Sequence, residues 1–415
     1  MKLEVSQTSV ERVCRTDYSF NSEFQITASA IRQSCMDPFL LELYFTKYEF
    51  VAKYLLCCSD VETLSMKEIL SLADDECTHL WENCMLGYTE TAGLPLLRDE
   101  IRIQYYSTHP PSQYVHCFCG AEEAIYATLK SLLTPQDEVI CITPCYQSLM
   151  SIPASIGARV IAVDLDSDWS LDVGKLGHIL SSLTNCRMII INYPHNPTGA
   201  LINLSTLNEI IALCREFNLY LFLDEVYRGL EMSPDRILPP ACTLYSKAIS
   251  LGVVSKSLGL AGLRIGWIAT QDSSILAAAA AFKHYLSICN SAPSEILALI
   301  AIRNNERILS RNRQIMLTNL SLFESFLTRH SALFEWTPPK GGCVAFVRYK
   351  ASGALPLEAL CERLVNEFGI LLLPGSQFPG AEKDFSEYFR LGFGRSNFSV
   401  ALMKLEEALE IIDLA

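Results

Sequence analysis

The sequence predicts an α/β protein. Its large domain is a mostly parallel sheet sandwiched by helices, and a smaller α+β domain is built from N- and C-terminal segments. Three observations carry this prediction. Between residues 137 and 270 lie six short, continuously apolar, β-branched runs. Amphipathic patterns such as "AEEAIYATLKSLL" and "LSTLNEIIALCREF" separate several of them. After about residue 300 this alternation stops. Strands that are apolar throughout are covered on both faces, as parallel strands joined by helical crossovers are.

Taken in order, residues 1–75 show few clear strands and are expected to form an N-terminal segment of the small domain that also lids the pocket. Residues 76–300 are expected to form the large domain. Its strands are read at "DEVICIT" (137–143), "ARVIAVDL" (158–165), "RMIIINY" (187–193), "LYLFLDEV" (219–226), "AISLGVV" (248–254) and "RIGWIAT" (264–270). The run "AAAAAF" at 277–282 reads as a close-packed helix. Residues 301–415 are expected to form the C-terminal small domain. A long charged helix, "NNERILSRNRQIMLTNLSLFESFLTRH", leads there to "PPKGGCVAFVRY", a further helix and "FRLGFGR".

Half of the 415 residues are hydrophobic, enough for a large core, and the net charge of −13 argues against non-specific binding to nucleic acid or anionic membrane. The 16 cysteines contain no CxxC pair and no zinc-ligand spacing, so no metal is expected. The first 20 residues lack an apolar signal core, and no uncharged apolar run has the length of a transmembrane helix. The cysteines, Cys57 and Cys58 among them, are therefore read as reduced, mostly buried residues of a cytoplasmic protein.

Three stretches carry chemistry. "NYPHNPTGA" (192–200) follows a buried strand and precedes a helix, which puts Asn196 at the carboxyl end of a parallel strand, where ligands of α/β proteins bind. His195 reads as a turn residue there. In "LFLDEVYRGL" (221–230), Asp224 ends an apolar strand and needs a partner, either a core arginine or a protonated ring nitrogen. Tyr227 could present its phenol to the same ring. In "GVVSKSLGLAGLRIGW" (252–267), Lys256 sits in an apolar neighbourhood, where an amine can form a Schiff base, and Arg264 is suited to a phosphate. An aspartate, an asparagine, a tyrosine, a lysine and an arginine together suit pyridoxal 5′-phosphate.

In order and spacing, "NYPHNPTG", "DEVY" and "SKSLGLAGLRIG" resemble the motifs of fold-type I pyridoxal-phosphate enzymes, most of all the class I/II aminotransferases, over roughly residues 85 to 395. The resemblance implies a Lys256 aldimine and a proton shuttle at the same amine. It makes Asp224 the partner of the pyridinium nitrogen, and Asn196 and Tyr227 donors to the ring phenolate. Arg264 becomes the phosphate clamp, with the backbone N–H groups of Ala121 and Glu122 at a helix N-terminus beside it. Tyr146 is implied to stack on the ring, Tyr88 to reach the phosphate of a neighbouring subunit in a homodimer, and Arg390 to grip the substrate α-carboxylate.

The sequence departs from the family pattern in two places. Val253 stands where many members carry a phosphate-binding serine, so Ser255 is considered as a substitute. The region expected to hold an apolar, glycine-containing turn reads "YLLCCSDVETLSM" (54–66) and offers Ser59, Asp60 and Glu62, with Asp37 upstream. Asp60 is taken as a substrate-binding carboxylate for a basic or neutral polar amino acid, the alternative being that these acids form a solvated turn and a helix N-cap in "SDVETLSMKE". The phrasing also resembles the branch with capreomycidine synthase and related arginine-modifying enzymes. The leading expectation is therefore transamination of an amino acid. The alternative is a lyase, cyclase or oxidase acting on an arginine-like, for example hydroxylated, amino acid in specialised metabolism. A non-catalytic binding protein would not need Lys256, Asp224 and Arg390 together.

Overall fold

The computed structural model describes residues 36–106, 114–350 and 355–412. The chain divides into a unit of residues 1–38, of which Met36–Pro38 are described, and a unit from Phe39 onward that carries every element below. Thirteen strands appear among the described residues. The short β1 is Tyr54–Leu55. The large sheet comprises β2 (Val115–Phe118), β3 (Glu138–Thr143), β4 (Arg159–Asp164), β5 (Cys186–Asn192), β6 (Tyr220–Asp224), β7 (Ala248–Val253) and β8 (Gly266–Thr270). The C-terminal region adds β9 (Phe334–Trp336), β10 (Val344–Tyr349), β11 (Ile370–Leu371), β12 (Leu373–Pro374) and β13 (Tyr388–Gly392).

The seven strands of the large sheet run in the order β2-β8-β7-β6-β5-β3-β4. The pairs among β7, β6, β5, β3 and β4 are parallel, while β8 runs antiparallel to both β7 and β2. Strands β3, β6, β7 and β8 are almost wholly buried, as apolar runs covered on both faces must be. All six apolar runs of the sequence became strands, whereas β2 ("VHCF") was not anticipated. The Ala121–Leu132 and Leu204–Glu216 helices lie where their patterns place them, and the "AAAAAF" run falls inside the Ser273–Lys283 helix.

A second, antiparallel sheet has the order β12-β13-β10-β9. The charged pattern after residue 300 forms a single helix of 25 residues, Asn305–Arg329. The N-terminal β1 pairs in parallel with β11. The chain that follows β1 is fixed to the end of β13, through Gly392 N–H to the Leu56 carbonyl (2.8 Å) and Glu62 N–H to the Gly394 carbonyl (2.8 Å). A side chain at Gly392 would collide with the Cys58 carbonyl, so glycine permits this close approach. No helix among the described residues is long and apolar enough to cross a membrane.

Candidate active site

A cavity of about 430 Å3 opens at the carboxyl ends of β5, β6 and β7. Asn192, Asp224 and Val253 are the last residues of those strands, and Asn196, Tyr227, Ser255 and Lys256 lie in the loops that follow. All of them line the cavity, together with Ala121, Glu122, Tyr146 and Arg264.

Asp224 is 5 % exposed and makes no ion pair among the described residues. Its Oδ1 accepts from the Val226 N–H at 3.1 Å. Burial pushes this carboxyl up to about 7, opposed by the Val226 N–H and the charge on Lys256. Of the two partners its sequence position left open, the core arginine is absent. The Asn192 amide donates to the Asp224 carbonyl at 2.9 Å, and its oxygen accepts from the Asn196 N–H at 2.8 Å, so one side chain braces two adjoining loops. Burial lowers the pKa of Lys256, with the negative charge of Asp60 opposing, and its Nζ donates to Ser59 Oγ at 3.0 Å. The Tyr227 hydroxyl donates to the Ser59 carbonyl at 2.9 Å.

The opposite wall is the start of the Ala121–Leu132 helix. Gly120 caps it at φ 89° with no side-chain cap bond, which leaves the first-turn N–H groups of Ala121 and Glu122, two residues of the cavity lining, without an intrahelical partner. A side chain at Gly120 would strike the guanidinium of Arg264, which itself takes the left-handed conformation at φ 53°. Ser255 Oγ is buried with no hydrogen-bond partner. Glu122 accepts from Ser148 Oγ at 3.0 Å, and burial raises its pKa. Tyr146 packs against Phe39, ring centroids 5.2 Å apart.

Three anticipated residues stand elsewhere. Arg390 is fully buried behind the wall: Nη1 donates to Asn196 Oδ1 (3.1 Å), and Nε and Nη2 donate to the Cys57 carbonyl (3.2 and 2.8 Å). Tyr88 does not line the cavity of its own chain and is 89 % exposed. Asp60 requires a correction. It forms an ion pair with Arg395 at 2.8 Å and does not line the cavity, so it is no free carboxylate for a substrate. Glu62 is likewise engaged, by the Ser396 N–H at 2.7 Å. Besides Asp224 and Glu122, two carboxylates face the cavity: Glu42, in the Leu40–Tyr48 helix, and Glu49, its C-cap; neither of these two makes an ion pair among the described residues. Their seven-residue spacing, two helical turns, was a usable signal in the sequence. His195 is structural: burial pushes its imidazole down to about 3, and Nδ1 bonds Thr198 Oγ1 at 2.7 Å.

A lysine and an unpaired buried carboxylate at adjoining strand ends, opposite a helix N-terminus with an arginine, define the class: a fold-type I pyridoxal-phosphate enzyme. The comparisons agree. Residues 55–412 match the model of the family described as aminotransferase class I and II, and the chain belongs to that family. It is 28 % identical over 286 residues to capreomycidine synthase of Streptomyces vinaceus, covering 68 % of this chain and 70 % of that one. It is 25 % identical over 325 residues to a probable kynurenine–oxoglutarate transaminase of Saccharomyces cerevisiae, covering 70 % and 72 %. The crystal structure of a PLP-dependent aminotransferase from Streptococcus suis superposes with a TM-score of 0.82 at 28 % identity, over 90 % of this chain and 98 % of the other.

The cofactor of this enzyme is pyridoxal 5′-phosphate, and the residues present suit it. Asp224, buried without an ion pair among the described residues, suits a protonated ring nitrogen. The N–H groups at 121 and 122, Arg264 and the orphaned Ser255 hydroxyl suit a phosphate.

Proposed function

We propose that the enzyme transfers the amino group of an amino acid to a 2-oxo acid, with Lys256 as the amine that carries the cofactor and shuttles the proton. The observation that supports this reading best is the shared cavity of Lys256 and Asp224. The cofactor, when bound, supplies an electron sink for the α-carbon. Asp224 holds the charge that makes the sink effective. Asn196 and Tyr227 orient the ring. Ala121, Glu122, Ser255 and Arg264 hold the phosphate, and Tyr146 stacks on the ring face. Nζ of Lys256, its pKa lowered by burial, would take the proton from the substrate α-carbon and deliver it to the aldehyde-derived carbon of the cofactor. Arg390 binds the α-carboxylate once a substrate displaces its present acceptors.

Glu42 and Glu49 support an amino acid with a cationic side chain, since two unpaired carboxylates repel an acidic one and favour an amine or guanidinium. The similarity to capreomycidine synthase favours one second reading, elimination or cyclisation of an arginine-like substrate on the same residues.

We place the active form as a homodimer in which Tyr88 serves the neighbour's phosphate. Met85, Leu86, Tyr88, Tyr285 and Ile288 are exposed on two loops that Thr89 Oγ1 joins to the Asn290 carbonyl at 3.0 Å. The division into residues 1–75, 76–300 and 301–415 is retained with the β1–β11 pairing in its support, and a cytoplasmic location suits the 16 cysteines. The test is a single half-reaction with one equivalent of arginine and no acceptor acid. Transamination yields one equivalent of 2-oxo acid and no ammonia. Ammonia release, or a product that keeps its α-amino group, refutes it in favour of the second reading.

A further inference from the structure

Residues 56–62 are fastened to the C-terminal sheet by the Leu56, Gly392, Glu62 and Gly394 backbone bonds and by the Asp60–Arg395 ion pair at 2.8 Å. From that attachment Ser59 reaches across to the large sheet, where both of its polar groups are used. Its carbonyl accepts from the Tyr227 hydroxyl at 2.9 Å, and its hydroxyl accepts from Lys256 Nζ at 3.0 Å. Ser59 Oγ is the hydrogen-bond acceptor of that amine among the described residues. The charged and titratable groups around Nζ include Asp60, Arg390, Cys343, Asp224 and Glu49, and none of these is bonded to it.

We propose that Ser59 is a positioning residue for Lys256: its hydroxyl holds the amine whenever that amine is not covalently engaged, and the Asp60–Arg395 pair holds Ser59. A lysine stem has four rotatable bonds, and an amine without a fixed acceptor samples many rotamers. One fixed acceptor at hydrogen-bond distance restricts it to the orientation in which it can exchange protons with the substrate. The proposal rests on Lys256 being the reactive amine.

The test titrates the amine in the full chain freed of cofactor. Reductive methylation with formaldehyde at a series of pH values, followed by mass spectrometry of the Lys256 peptide, gives the pH of half-maximal reaction. A hydroxyl accepting from an ammonium favours the charged form, so Ser59→Ala and Ser59→Gly should both lower that pH, by about one unit. Ser59→Thr should restore it. In the holoenzyme the acid limb of the kcat profile should move the same way. If neither variant moves the Lys256 titration, or only one does, the Ser59 assignment is overturned. A moved titration with an unmoved kcat profile would instead indict the role given to Lys256, so the two failures are distinguishable.

Discussion

Replacing Asp224 with asparagine should make the cofactor-free protein more stable, and increasingly so as the pH rises. The carboxyl is 5 % exposed, lacks an ion pair, and is pushed from 3.8 to about 7 by burial. A rise of about three pH units at 1.36 kcal/mol each means the ionised form costs the native state about 4 kcal/mol. The sign follows from proton binding: between about 4 and 7 the native state holds a proton that the unfolded chain has lost, so stability falls as pH rises through that window. Asparagine fills the same volume, keeps an oxygen for the Val226 N–H and does not ionise. Wild type and variant should therefore diverge by roughly 3 kcal/mol between pH 5 and pH 8 in urea denaturation, the variant gaining. The same substitution should lower turnover of the loaded enzyme by orders of magnitude, because the charge it removes stabilises the transition state. A stability difference that stays constant with pH would refute the reasoning, since it would mean that Asp224 ionises freely in its cavity.

Replacing Glu42 and Glu49 together with glutamine should cut the ratio of kcat/KM for arginine over aspartate by roughly tenfold or more, which steady-state kinetics reads directly. Asp60→Asn should leave that ratio within about twofold, because Asp60 is spent on Arg395. Ser255→Ala should raise the Kd of the cofactor by roughly fivefold to tenfold in an equilibrium titration, with melting of the cofactor-free protein unchanged. Tyr88→Phe should weaken cofactor retention, and mixing Tyr88→Phe with Lys256→Ala subunits should leave any active heterodimer with one impaired site, measurable as turnover per bound cofactor.

Much of the large sheet, and which residues gather at the carboxyl ends of its strands, could be read from the sequence because the signals were local. Asn196, Asp224 and Lys256 each follow an apolar run whose end is visible, and parallel topology places all such ends on one side of the sheet. Strand β2 escaped because "VHCF" mixes a histidine into a four-residue run and pairs antiparallel with β8. The reading of Asp60 failed for a reason of distance. Its partner lies 335 residues away, and a carboxylate next to a pocket in sequence was freed or bound by a residue no spacing could reveal. The contacts of Arg390 with Cys57 and Asn196 span 333 and 194 residues and were invisible for the same reason. Glu42 and Glu49 were within reach of helical periodicity, since they stand seven residues apart in and just after the Leu40–Tyr48 helix.

The most direct test of the account is to reduce the loaded enzyme with borohydride, digest it, and find the peptide that carries the cofactor. The account predicts one cofactor per chain, attached to Nζ of Lys256, and none attached in Lys256→Ala although that variant still binds cofactor non-covalently. Attachment to another lysine in the wild-type protein, or a folded enzyme that turns over substrate with no attachment at Lys256, would contradict it.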